Sequence, residues 1–189
     1  MKDIECLWYI APIEHLESIL QHGILCRNLA LRSGYVTKDI SCLSVQSKRS
    51  EFHGDVPLFF ADNTPMLYDV FNDESEEISL LGIDNCVIDF DGVWFSNGNL
   101  GSGETSLYNS LEDITSEEWD IIFSRSGAYS KRWKRIRAAE VSVPRCVSPE
   151  YIKSISVASN ISARCVRKIL RRLKLKIPVR ADLTAEGIS

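Results

Sequence analysis

The chain has 189 residues, 44% of them hydrophobic and 25% charged, which excludes a disordered, collagenous or coiled-coil protein and suits one domain, 1–189, with a proper core. No apolar run approaches the roughly 18 residues of a membrane span. Acids at Asp3 and Glu5 stand where a signal peptide would be apolar, so the expected compartment is the cytoplasm, with no membrane partner.

The N-terminal part opens with an apolar strand, Cys6 to Ile10, broken by Pro12. A helix follows, with Ile13, Leu16, Ile19 and Leu20 at helical spacing and His22-Gly23 closing it. Cys26 to Asp55 shows no sustained period and reads as a long loop with one short helix, a length usually kept for function. Val56 to Phe60 reads as a strand, followed by a turn at Asn63-Thr64-Pro65 and an apolar Met66-Leu67-Tyr68. The acidic run Asp73, Glu74, Glu76, Glu77 reads as a solvated face.

Further on, Cys86 to Phe90 and Val93 to Phe95, joined by Asp91-Gly92, read as a hairpin, and Asn97-Gly98 turns the chain into the loop Gly101-Ser102-Gly103. Glu112 to Phe123 is expected to be helical, with Thr115 as N-cap and Glu118 at the capping-box position. Arg137 to Val143, ended by Pro144, and Ile152 to Val157 read as strands. Asn160 is expected to cap a last helix, at about 160–175, with Val166, Ile169, Leu170 and Leu173 inward and its basic residues outward. Strands scattered between few helices predict an α+β fold with a mostly antiparallel sheet.

Charge is divided along the chain. Residues 1–124 carry six Lys and Arg against 22 Asp and Glu, whereas 125–180 carry 16 against two. The basic third includes Lys131, Arg132, Lys134, Arg135 and Arg137 together with the arginines and lysines of the last helix. Such an asymmetry points to a polyanion partner, or else to charge pairing within the fold. Tyr129 and Trp133 interleave with Lys131, Arg132, Lys134 and Arg135, a mixture that binds single-stranded nucleic acid through phosphate charge and base stacking.

Six cysteines without a C-x-x-C pair, and three histidines without ligand spacing to them, predict reduced structural thiols and no metal. In the strand from Arg137, the two-residue period sets Ala138, Glu140 and Ser142 on one face and Ala139, Val141 and Val143 on the other. Glu140 thus stands between small side chains that leave room for a ligand, and it is one of two acids in the basic third. That suits a catalytic acid in a cleft, against the plainer reading of an exposed glutamate on a half-solvated sheet.

Four blocks in order resemble the DarT family of DNA ADP-ribosyltransferase toxins: Trp8 to Leu16 with Ile19-Leu20 and His22-Gly23; His53 to Phe60 with Thr64 to Tyr68; Phe95 to Asn99; and Arg137 to Pro144. The resemblance implies an ADP-ribosyltransferase-like fold, a mostly antiparallel split β-sheet with flanking helices, and NAD+ as the substrate cleaved. It implies a base in single-stranded DNA or RNA as acceptor, DNA being favoured, a role in toxin–antitoxin or antiviral defence, and a cognate antitoxin as partner.

By position, Glu140 matches the family's catalytic glutamate and Arg49 its catalytic arginine, with Lys48 as the rival. Tyr9, Ile10, Ala11 and Ser18 fall on NAD+ contacts. Tyr9 stands where histidine is common, Ala11-Pro12 where Thr-His is common, and Asn99 where relatives can carry a histidine near the acceptor. Phe60 or Tyr68 would stack on nicotinamide, the plainer fate of either ring being core packing. Lys131, Arg132, Trp133, Lys134 and Arg135 would bind the nucleic acid. The competing functions are a catalytically idle nucleic-acid-binding module on the same fold and a protein-directed ADP-ribosyltransferase.

Overall fold

The computed structural model describes residues 3–35, 52–74, 77–125 and 130–184. Its first strand, β1 (Cys6–Pro12), alternates as a strand with two buried faces must: Leu7, Tyr9 and Ala11 join the main apolar cluster, and Trp8 and Ile10 join a second one. A 3-10 turn at Ile13–His15 leads into α1 (Leu16–His22), then β2 (Ile24–Leu25) and α2 (Arg27–Ser33). Gly23 between them has φ 88, and a Cβ there would lie 2.4 Å from the Val147 carbonyl oxygen, so only glycine lets α1 end against the chain at Val147.

After β3 (Asp55–Phe59), α3 (Pro65–Glu74) lays Met66, Leu67, Val70 and Phe71 on the second cluster. The strand β4 (Ile78–Asp84) follows, buried at every position but its last. Then come β5 (Trp94–Ser96), the two-residue β6 (Leu107–Tyr108), α4 (Ser116–Ile122), α5 (Lys131–Arg137), β7 (Glu140–Pro144), β8 (Cys146–Val147), β9 (Ile152–Val157), α6 (Asn160–Leu173) and β10 (Val179–Arg180). Eight strands form one sheet in the order β10-β9-β4-β1-β3-β7-β5-β6, antiparallel except for the β10–β9 pair, and β2 with β8 makes a small second sheet. No helix among the described residues is long and apolar enough to cross a membrane.

The sheet is held unevenly. β1 pairs with β4 over seven residues and β3 with β7 over five, but β1 meets β3 only at Trp8↔Phe59. Beyond that bridge the two strands part, so the sheet divides into halves β10-β9-β4-β1 and β3-β7-β5-β6. This is the α+β, mostly antiparallel split sheet expected from the sequence.

Several local expectations need correction. Cys86 to Asp89 is no hairpin strand: residues Asn85–Asp89 form a 3-10 helix started by Asp84, whose side chain accepts from Cys86 N. The strand from Arg137 begins only at Glu140, because Lys131–Arg137 is helical with Ser130 as its cap. Ser159, not Asn160, caps the last helix, accepting from Ser162 N at 3.2 Å. The capping box of Thr115 and Glu118 forms as expected. Glu77 of the acidic run is exposed, and the other side chains of that run lie outside the described ones.

Candidate functional site

On one lip of the split, β1 and α1 build a pocket. It is lined by Tyr9, Ala11 and Pro12 of β1, by His15, Ser18 and Ile19 of the turn and α1, and by Gly23, Ile24, Leu25, Ala30 and Tyr35 further along the chain. Tyr35, half exposed, stacks on the ring of His22 with centroids 4.5 Å apart and planes 6° from parallel. Three of the expected dinucleotide positions, Tyr9, Ala11 and Ser18, therefore line a single concavity. The Ile10 side chain points to the other face of β1 and packs with Phe59 and Leu80, so only its backbone could serve a ligand on the Tyr9 side. His15 and Tyr35 join this lining without a sequence signal of their own, except that the helical repeat sets His15 one turn before Ile19.

Across the split, Glu140 opens β7 and is 1% exposed. It sits opposite Phe59, which in turn sits opposite Trp8, so the three stand in one row across β7, β3 and β1, on the face that carries Trp8 and Ile10 rather than Tyr9 and Ala11. Two strand spacings, about 10 Å, separate β1 from β7, a span that one dinucleotide can bridge. Ser96 fixes the start of β7: its hydroxyl accepts from Glu140 N at 2.9 Å and donates to Gly98 O at 2.7 Å. Arg49 and its rival Lys48 lie outside the described residues.

The two candidate stacking aromatics differ. Phe60 is 1% exposed and packs in the main cluster, its ring 5.1 Å from Trp119 in an edge-on arrangement, which is the plainer of the two fates expected for it. Tyr68 is half-buried on α3.

On the far side of Glu140, the loop after β5 is tied down by side chains. Asn97 Nδ2 donates to Glu118 Oε1 at 2.7 Å and to Tyr108 Oη at 3.3 Å, while its Oδ1 accepts from Ser106 N at 2.9 Å and from Arg135 Nη1 at 3.3 Å. Glu118 Oε2 accepts from Thr115 N at 2.9 Å, so the capping box of α4 and the loop share one carboxylate. Asn99 N donates to Arg135 O at 3.1 Å, and Asn99 Oδ1 accepts from Gly101 N at 2.6 Å. A Cβ on Gly98 would meet Arg135 Cγ at 2.8 Å, so α5 presses directly on this loop.

The basic helix is therefore not uniform. Lys131, Arg132 and Lys134 are exposed, Arg132 pairing with Glu117 at 2.8 Å. Trp133, expected to stack on bases, is 7% exposed, with the Arg137 guanidinium 5.7 Å from its ring centre, and so faces inward. Arg135 is spent on the Asn97 loop. Arg137 is 1% exposed, donating to Ile122 O and, at 2.6 Å, to Asn63 O; burial pushes its pKa down to about 10. It pins the α5–β7 junction to the chain after β3. Among the described residues no group of three or more His, Cys, Asp or Glu side chains could hold a metal.

A sheet split between β1 and β3, with a helix-walled pocket on one lip and a buried glutamate opening a strand on the other, defines the ADP-ribosyltransferase fold. The chain belongs to the DarT family, whose description, "ssDNA thymidine ADP-ribosyltransferase, DarT", matches residues 8–184. It is 29% identical over 193 residues to the DNA ADP-ribosyl transferase-DNA ADP-ribosyl glycohydrolase fusion protein of Thermosipho africanus (strain H17ap60334), covering 94% of this chain and 48% of that one. The chain thus spans about half the length of that curated relative.

Its fold is similar to that of Thermosipho africanus DarTG in complex with ADP-ribose, with a TM-score of 0.81 and 24% identity over 94% of this chain and 50% of that one. It is also similar to Thermus sp. 2.9 DarT in complex with ADP-ribosylated ssDNA, with a TM-score of 0.82 and 20% identity over 98% of both chains. The same Thermus protein in complex with NAD+ gives a TM-score of 0.77 at 20% identity, over 96% of this chain and 98% of that one.

Proposed function

We propose that this chain is an ADP-ribosyltransferase that cleaves NAD+ and joins the ADP-ribose to a base, thymidine first, in single-stranded DNA. The observation that carries the reading is the buried Glu140 at the head of β7, two strands from β1, whose Tyr9 and Ala11 line a pocket with Ser18 on the other face of the split sheet. Family membership supports the same chemistry.

In this reading the pocket takes one end of NAD+ and the split leads the nicotinamide ribose toward Glu140. Leaving nicotinamide carries away the bonding electron pair of the glycosidic bond and positive charge builds on the ribose, as in glycoside hydrolysis. A carboxylate fixed in a water-poor site stabilises that charge more than it stabilises the ground state. A ring nitrogen of the base then bonds to the ribose and loses its proton, and Glu140 is the first candidate to receive it. Arg49, with Lys48 as rival, is assigned the diphosphate clamp; Tyr68 remains the candidate to stack on nicotinamide. Tyr9 and Ala11 replace the His and Thr common in the family, so contacts from those side chains give way to packing and backbone contacts.

Exposed Lys131, Arg132 and Lys134 suit the phosphates of the strand, and Asn99 the acceptor. A role in toxin–antitoxin or antiviral defence in the cytoplasm fits a relative that carries DNA ADP-ribosyl transferase and DNA ADP-ribosyl glycohydrolase in one chain, a modifier joined to its reversal. A cognate antitoxin is the corresponding partner. The deciding experiment incubates the protein with labelled NAD+ and a mixed pool of single-stranded DNA and RNA. Label on DNA is expected. Label on no acceptor, with strand binding intact, would make the chain an idle binding module, and label on protein alone would make it a protein-directed enzyme.

A further inference from the structure

Beyond Glu140 the sheet ends in two apolar side chains left in solvent. Trp94 on β5 is 43% exposed and Leu107 on the edge strand β6 is 41% exposed. Trp94 lies directly opposite Ser142, which is two residues from Glu140 on β7, so Trp94 shares the face of Glu140. The diagonal of such a ladder sets the two residues about 7–8 Å apart, their Cβ atoms somewhat closer. Leu107 pairs with Ser96, the residue that fixes Glu140 N.

Between Trp94 and Glu140, Ser142 is 3% exposed, and its Oγ has no hydrogen-bond partner among the described residues. The buried Glu140 and this apolar edge therefore follow one another on the face of the sheet that carries Trp8 and Phe59. The loop after β5 is tied to the end of α5 through Asn99 N and Arg135 O, and that helix carries exposed Lys131, Arg132 and Lys134.

An exposed indole on the face of a buried acid, on a strand whose following loop is tied to a helix bearing exposed cations, suits a planar heterocycle on a phosphate chain: stacking holds the ring and the cations hold the charge. We infer that Trp94 and Leu107 form a stacking platform for a nucleobase of the single-stranded acceptor next to the base that Glu140 serves. The inference rests on the proposed transfer to single strands and adds a place where the strand is gripped without reading its sequence. It also transfers the stacking role from the inward-facing Trp133 to a residue that solvent reaches.

The test compares wild type, Trp94→Ala and Trp94→Tyr for affinity toward a short mixed-sequence single-stranded DNA, with melting temperature and NAD+ affinity measured on the same preparations. Trp94→Ala should weaken strand binding about tenfold, and Trp94→Tyr should restore most of it, the range expected for one stacked base. NAD+ affinity should move less than about twofold. Strand quenching of tryptophan fluorescence should fall in both variants, since of the other three tryptophans Trp119 and Trp133 are buried and Trp8 is half-buried.

Equal strand affinity in wild type and a folded Trp94→Ala would overturn the platform while leaving the transferase reading intact. A change of oligomeric state in that variant, with strand affinity kept, would overturn it in favour of a protein contact. If wild type binds no strand at all, the acceptor reading itself fails and takes the platform with it.

Discussion

Asn97 shows how much positioning one small side chain can supply. Both its amide hydrogens and its carbonyl oxygen are engaged, by Glu118 and Tyr108 on one side and by Ser106 and Arg135 on the other. Asn97→Ala would strand a buried carboxylate oxygen and a half-buried guanidinium. It should cost about 2–3 kcal/mol, seen as a lower melting temperature. Because Asn99 hangs from the same loop, the variant should also raise KM for the strand more than it changes NAD+ affinity; equal effects on both would show that the loop does not serve the acceptor side alone.

Glu140 was legible at this scale because a period of two is enough to set it apart from Val141 and Val143. Which way the neighbouring residues of other elements face was not. Phe60 and Trp133 carry rings that suit a ligand as well as a core, and only packing against Trp119 and beneath Arg137 decides the matter. Arg137 itself reads as one more surface cation, since nothing in Lys-Arg-Ile-Arg announces that two main-chain carbonyls will draw its guanidinium inside.

Among the elements, α5 is the one whose role changes most between sequence and structure. Its basic string conceals a helix because only Trp133 and Ile136 mark the inner face. Reversing Lys131, Arg132 and Lys134 to glutamate should weaken strand binding and flatten its salt dependence by about 0.7 per lost phosphate contact, while melting temperature stays close to wild type. A fall in melting temperature with strand affinity unchanged would assign these charges to pairing with the acidic part of the chain. Arg135→Glu, by contrast, should destabilise the fold, because that side chain supports the Asn97 loop.

The strand β4 escaped the sequence for a different reason. Buried on both faces, Ile78 to Ile83 shows no alternation, and its acidic lead-in drew attention to a solvated face instead. Hydrophobic cysteine, valine and isoleucine after it suggested a strand where Asp84 starts a 3-10 helix. At that same end of β4, Lys153 of β9 lies 2.9 Å from Asp84 and, with the Cys86 amide, holds its carboxyl down at about 2. The folded state therefore binds that proton more weakly than the unfolded chain. The stabilisation is complete above about pH 4 and is lost as pH falls toward about 2. Asp84→Asn should lose less melting temperature than wild type across that window; parallel curves would remove the ion pair from the account.

At the scale of the molecule, the sheet is two halves sharing one bridge, and the chemistry is distributed over them: a pocket on the β1 half, the acid on the β7 half, and an apolar edge with a basic helix beyond. The resemblance anticipated that division, whereas composition alone led only to an α+β chain with a basic third. In the proposed reaction, what joins the halves is a substrate long enough to lie across both. The most direct test of this is label transfer from NAD+ to single-stranded DNA by wild type and Glu140→Gln side by side, with melting temperature and NAD+ affinity as controls. The amide keeps the shape and removes the charge, so the variant should fold, bind NAD+ and transfer less than about a tenth as fast, a barrier increase above about 1.4 kcal/mol. A folded Glu140→Gln that transfers at the wild-type rate would contradict the assignment of this buried carboxylate to the reaction.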